Sequence, residues 1–254
     1  MLSIITINFN NFAGLSKTIE SVLNQTFTYY EYIIIDGAST DGSTELLKKH
    51  SEKLKYWVSE PDNGIYNAMN KGIKIASGEY LLFLNSGDYL SGRDTLEKIS
   101  GYINDEDIIY GNGILETKDG KFLLLEIPES PGLEYFSSNS LHHPSTLIKK
   151  RLFEQYGLYN EANRIVSDWE FFIKTILLNN VLIKKIPISI SVNEENGISR
   201  LKENEILLKE EINSVLKKYF PLSVLSLLEE YCRMNAEIKR IKKTLIGKLL
   251  FRFC

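Results

Sequence analysis

Over the first hundred positions, apolar residues come in short unbroken runs. After each run they recur every three or four residues. Leu2 to Ile7 is the first run, and Leu15, Thr18, Ile19, Val22 and Leu23 then fall on one face of a helix. Tyr32 to Ile35 reads as a second buried strand, Glu45 to His50 as a short helix carrying Leu46 and Leu47, and Lys55 to Ser59 as a third strand. A helix from Ile65 to Ala76 sets Ile65, Met69, Gly72 and Ala76 on one side, and Tyr80 to Leu84 is apolar throughout. Strands this apolar, with few polar positions, leave no solvent face. Their alternation with helices predicts a parallel sheet covered on both sides.

Beyond residue 100 the pattern loosens. Asp107 to Tyr110 and Lys121 to Ile127 flank the turn Lys118-Asp119-Gly120 and predict antiparallel additions to the sheet. Ser130-Pro131-Gly132 opens a loop region that runs through His142-His143-Pro144. A helix from Asp168 to Leu178 and a strand from Val181 to Ile190 follow. Asn193-Glu194-Glu195-Asn196-Gly197 has no regular period and reads as loop. After it the chain turns helical and highly charged, which predicts a domain over residues 1–200 and a helical extension over 201–254.

Composition narrows the picture. A formal net charge of −3 over 254 residues argues against nucleic acid as a partner. Cys232 and Cys254 have no zinc spacing and predict no structural disulfide, as in a reducing compartment. The N-terminus has no basic leader and no apolar run reaches membrane-spanning length, so a cytoplasmic protein is expected. Ile238, Ile241, Leu245 and Leu249 are interleaved with Lys239, Arg240, Lys242, Lys243, Lys248 and Arg252. Such a helix suits the inner face of an anionic membrane, or equally packs on the domain or on a partner helix.

Two carboxylates close predicted strands, Asp36 after Ile33-Ile34-Ile35 and Asp88 after Leu81-Leu82-Phe83-Leu84-Asn85-Ser86-Gly87. Ligands of open α/β sheets bind beyond the carboxyl ends of the strands, which puts both at a binding crevice. No Gly-x-Gly-x-x-Gly follows the first strand, where Asn8-Phe9-Asn10-Asn11 stands instead. A bound diphosphate would then need a divalent cation, Mn2+ or Mg2+, with Asp88 as its oxygen ligand. Asp41 reads at least as well as a helix cap.

These strand ends, together with Glu60-Pro61-Asp62-Asn63-Gly64-Ile65-Tyr66-Asn67-Ala68-Met69-Asn70-Lys71-Gly72 and Ile165-Val166-Ser167-Asp168-Trp169-Glu170, resemble glycosyltransferase family 2 over residues 1–200. The resemblance implies a GT-A type, Rossmann-like α/β fold with a mixed, mostly parallel sheet flanked by helices. It implies transfer of a sugar, with inversion, from a nucleotide-diphospho-sugar such as a UDP-sugar to a saccharide or polyprenyl-linked acceptor. It assigns Asp168 as the base that deprotonates the acceptor, with Glu170 as local competitor, and Asp36 as a contact of the nucleotide base, where a carboxylate alone could also accept a ribose hydroxyl or bond its own turn. Thr6, Asn8, Asp62, Asn63, Lys71, Asn85, Ser86, Gly87 and Arg200 fall to the donor cleft. Tyr66 would stack on the nucleotide base or pack. His142 and His143 would meet phosphate or acceptor, or be satisfied structurally. The family usually has two acids in the Asp88 segment, and Gly87 leaves this chain with one. Asn196-Gly197-Ile198-Ser199-Arg200 resembles a closing loop. A non-catalytic sugar-nucleotide-binding module and a nucleotidyltransferase are the alternatives, the latter lacking its glycine- and arginine-containing loop in Asn8 to Gly14.

Overall fold

The computed structural model of the chain describes residues 1–195 and 197–242. Residues 1–208 and 209–254 form two compact units. The first is built on a nine-stranded mixed sheet. Strands β1 (Leu2–Asn8), β2 (Tyr30–Asp36), β3 (Tyr56–Ser59) and β4 (Tyr80–Phe83) run parallel in the order β3-β2-β1-β4. Helices α1 (Phe12–Leu23), α2 (Ser43–His50) and α3 (Ile65–Ile75) make the crossovers. Ile4, Ile5, Ile33, Ile34, Ile35, Leu81 and Leu82 are completely buried. Each such side chain contributes roughly 1.5–3 kcal/mol of transfer free energy, which is why runs this apolar settle in the middle of a covered sheet. Helix α3 lies close on β1, since a Cβ at Gly72 would meet Ile5 Cγ2 at 2.5 Å.

The second half differs from expectation. After the two-residue strand β5 (Tyr89–Leu90) and helix α4 (Thr95–Ser100) comes β6, which spans Ile108–Glu116, well beyond Tyr110. It pairs antiparallel with β7 (Phe122–Leu125). After the short helix α5 (Leu133–Phe136) comes β8 (Thr146–Lys149), just past the expected loop region and not expected as a strand, which inserts antiparallel between β4 and β6. Helices α6 (Lys150–Tyr156) and α7 (Ser167–Phe172) follow, the latter widening into a π-helical stretch over Ile173–Leu178. Strand β9 (Ile183–Glu194) pairs parallel with β6 and antiparallel with β5. It carries Asn193 and Glu194, which belong to this strand rather than to a loop.

The second unit contains most of α8 (Glu205–Tyr219) and all of α9 (Leu222–Lys242). Ile238 and Ile241 are exposed at the end of α9, whereas Leu245, Leu249 and the basic residues from Lys243 onward lie outside the described residues. Among the described residues no helix is long and apolar enough to cross a membrane.

Candidate active site

The chain leaves β4 through a tight turn. Asp88 N–H donates to Asn85 O at 2.9 Å and Gly87 sits at φ +104°, a left-handed conformation that an L side chain adopts only with strain. That geometry accounts for glycine at 87. Ser86 N–H continues the sheet pairing by donating to Ile7 O at 3.0 Å. From α1, Thr18 Oγ1 donates to Asp88 O at 2.7 Å, and Asn11 Nδ2 donates to Ser86 O at 3.0 Å. Asp88 Oδ1 accepts from Asn193 Nδ2 at 2.6 Å and Oδ2 from Asn85 N–H at 3.2 Å.

The residue keeps some exposed surface, but its carboxyl is walled in. Burial pushes it up to about 7 despite these two donors, with the charge of Glu194 pushing the same way and that of Arg200 opposing. The Oδ1 atoms of Asn85 and Asn193 are buried without a hydrogen-bond partner. Among the described residues no cluster of three or more His, Cys, Asp or Glu side chains is set to hold a metal. The turn therefore offers a hard-oxygen set of one carboxylate with amide oxygens, which fits a divalent cation only with further oxygens from a ligand.

At the ends of β1 and β2 the expected donor contacts are engaged internally. Asp36 is fully buried, and four donors fill its carboxylate: Asn8 Nδ2 at 2.7 Å, Ser39 N–H at 2.9 Å, and the hydroxyls of Ser39 and Ser59, each at 2.6 Å. It holds Asn8 and the following turn instead of facing a base. Thr6 is likewise removed from the crevice, fully buried with its hydroxyl 2.9 Å from that of Tyr32. Asp41 bonds Ser43 N–H at 3.1 Å and Phe12 N–H at 2.7 Å, tying the starts of α1 and α2 together. Asp62 Oδ1 accepts from Gly64 N–H at 3.1 Å, and Asn63 N–H donates to Asn67 Oδ1 at 3.2 Å, both in the exposed lead-in to α3. Lys71 folds back on that lead-in, 2.8 Å from Glu60 and 3.1 Å from Pro61 O, and has no contact in the crevice.

Asp168 stands at the second position of α7, after Val166 as the cap, so it is not the N-cap. Its Oδ1 lies 2.7 Å from the hydroxyl of Tyr66, which is also 2.7 Å from Ile165 O. Tyr66 is buried, so it serves neither as an open stacking platform nor as plain packing. Two asparagines of α3 hold the loop before α7. Asn70 exchanges bonds of 2.9 and 3.0 Å with the backbone of Tyr159, and Asn67 and Asn70 each donate to Glu161 at 2.8 Å. Glu170 is buried and accepts from Asn160 at 3.1 Å and Asn163 at 2.7 Å, which withdraws it as a competing base.

The two histidines separate in role. His143 is buried against Phe83, ring centroids 4.7 Å apart, with Nε2 2.8 Å from the Tyr159 hydroxyl. That satisfied aromatic setting removes it from direct contact with phosphate or acceptor. His142 is half-buried, with Nδ1 3.0 Å from Ser145 Oγ, and burial brings it down to about 4 with the nearby Arg200 charge adding to the effect. Arg200 ends a short helical turn, Ile198–Arg200, and its charge acts on both Asp88 and His142. Of the proposed closing loop, Asn196 and the side chain of Ser199 lie outside the described residues. Asn193 was missed from the sequence because a polar strand end has the composition of a loop.

The site thus joins the Asp88 turn beyond β4 to Asp168 at the start of α7, through Phe83, His143, Tyr159 and Tyr66. Solved structures of similar architecture include S. aureus TarS, with a TM-score of 0.62, 21% identity, and coverage of 76% of this chain but only 36% of that one. Residues 1-349 of TarS were also solved with UDP and with UDP-GlcNAc. A mannosyltransferase from Pyrobaculum calidifontis, solved with GDP-Man and Mn2+, gives a TM-score of 0.58 at 15% identity over 92% of this chain and 79% of that one. A PGL/p-HBAD biosynthesis glycosyltransferase of Mycobacterium bovis is 29% identical over 220 residues, 82% of this chain and 83% of the relative. The family model described as Glycosyl transferase family 2 matches residues 3–157, more than half the chain and all of the parallel half-sheet. The chain belongs to glycosyl transferase family 2 and is a glycosyltransferase on a GT-A type fold.

Proposed function

We propose that this glycosyltransferase transfers a sugar with inversion from a nucleotide-diphospho-sugar, a UDP-sugar by preference, to a hydroxyl of a saccharide or lipid-linked saccharide. The observation that carries the reading is a pair of carboxylates, one beyond the end of β4 and one at the start of α7. Asp88 lies beside Asn193 and Arg200, and Asp168 is held by Tyr66 on the other side of the aromatic cluster. An alcohol is a poor nucleophile at neutral pH. Asp168 accepts the acceptor's proton as the hydroxyl oxygen bonds to the anomeric carbon, and the bond from that carbon to the diphosphate oxygen breaks. Attack from the face opposite the leaving group inverts the anomeric configuration, and the nucleoside diphosphate departs with the electron pair.

Asp88 and the amide oxygens of Asn85 and Asn193 would hold Mn2+ or Mg2+ against the donor phosphates. When bound, the cation supplies positive charge against the leaving diphosphate. Arg200 adds a cation on the same side. TarS with UDP-GlcNAc and the mannosyltransferase with GDP-Man and Mn2+ support a nucleotide-sugar donor and a divalent ion. Titrating the protein calorimetrically with UDP-GlcNAc and GDP-Man, with and without Mn2+, tests the donor. NMR of the product formed from the donor that binds reads the anomeric configuration. Retention at the anomeric carbon, or no affinity for either donor, would count against the reading. A lipid-linked acceptor and peripheral attachment to an anionic membrane extend the same proposal through the basic chain end. Vesicle sedimentation with and without residues 235–254 tests them, with salt-sensitive binding of the full chain alone expected.

A further inference from the structure

The Asp88 turn carries one acid, yet its surroundings are built for more. Asn193, 9% exposed, spends its amide N–H on Asp88, and its Oδ1 is buried with no hydrogen-bond partner. An unsatisfied buried oxygen is costly and calls for a partner that supplies positive charge or a proton. Asn85 Oδ1, across the same turn, is in the same condition. The next residue on β9, Glu194, approaches from the other side. Its Oε2 lies 4.0 Å from where a Cβ on Gly87 would stand, and its charge bears on Asp88. Glu194 pairs with Lys17 at 3.3 Å, and Lys17 has a nearer partner in Glu116 at 2.9 Å and also lies over the ring of Tyr89.

We propose that the end of β9 completes the cation site, with Glu194 as its second carboxylate and Asn193 Oδ1 as an amide-oxygen ligand. The inference rests on the reading of Asp88 as a cation ligand. Hard divalent cations collect six or more oxygens, and the set of Asp88, Glu194 and the amide oxygens is completed by donor phosphates and water. Two carboxylates balance the ion's charge without help from Gly87. In the metal-free protein Lys17 takes part of Glu194's charge. When a cation arrives, Lys17 keeps Glu116, so Glu194 can turn to the ion at little cost.

The experiment is calorimetric titration of UDP in chelator and in Mn2+, comparing wild type, Glu194→Gln, Lys17→Met and Asp88→Asn. Thermal melts in chelator check that each variant folds, and Glu194→Asp stands in if Glu194→Gln does not. The expected result is that Glu194→Gln reduces the Mn2+-dependent gain in UDP affinity about tenfold or more while metal-free UDP affinity is kept. Lys17→Met should keep or increase that gain, because it removes a competing cation. An unchanged gain in Glu194→Gln overturns the inference, as does an equal loss in Lys17→Met, which would reduce Glu194 to an anchor for Lys17. Asp88→Asn separates the two levels. If it retains the gain, the underlying cation site is wrong, whereas loss there with retention in Glu194→Gln removes Glu194 alone and overturns the second carboxylate.

Discussion

The two carboxylates of the site are held in opposite ways. Asp88 is fixed by a backbone turn, receives amide donors, and is pushed up to about 7 because burial outweighs those donors and the charge of Arg200. Asp168 sits on the first turn of a short helix, keeps exposed surface, and takes a single 2.7 Å bond from a buried phenol. The first arrangement gains most from an arriving cation, since desolvation is offset only by opposite charge. The second fixes one oxygen and leaves the other able to take a proton from an incoming hydroxyl. On the proposed function, a binding group and a catalytic base are distinguished by what surrounds chemically identical side chains.

The sharpest way to break that contrast is Asp168→Asn. Turnover should fall by about two to four orders of magnitude with UDP affinity unchanged, measured by product formation and calorimetry on the same preparation. Near-normal turnover would move the base elsewhere. Tyr66→Phe comes next. Losing a hydrogen bond to a charged group should lower kcat about tenfold or more without altering donor affinity. The double variant should be no slower than Asp168→Asn alone, because the phenol acts through the carboxylate.

Smaller effects test the scaffold. Gly87→Ala forces a side chain onto φ +104° and should cost about 1–2 kcal/mol in urea unfolding. His142, held near 4 while the unfolded chain has its ordinary value of 6.5, binds fewer protons when native. Stability should therefore fall as pH drops from 6.5 towards 4, and His142→Gln should flatten that part of a Tm-against-pH curve. An unchanged slope would mean that His142 takes up its proton in the folded protein.

The parallel half-sheet was legible because β1, β2 and β4 are buried on both faces and are mostly apolar, with Ser3, Thr6 and Glu31 as the polar residues before the strand ends. The antiparallel half was harder to read for a physical reason. Strand β8 is only four residues long, and β6 passes through Gly111-Asn112-Gly113, where its pairing with β9 is irregular. The end of β9 is polar because it faces the crevice, so Asn193 and Glu194 resemble loop residues. Asp88 and Asp168 stood out by their position in the sequence. The bond from Asn193 to Asp88, between residues 105 apart, has no local signature, nor does the burial that redirects Thr6, Asp36 and His143 inward.

The proposed division, in which Asp88 binds and Asp168 reacts, is tested by a crossed experiment on the two asparagine variants. UDP affinity with and without Mn2+, and single-turnover transfer at saturating donor, are measured on each. The account predicts that Asp88→Asn loses the Mn2+-dependent part of UDP affinity while Asp168→Asn retains it and loses transfer. Equal effects of both substitutions on both measurements would contradict it.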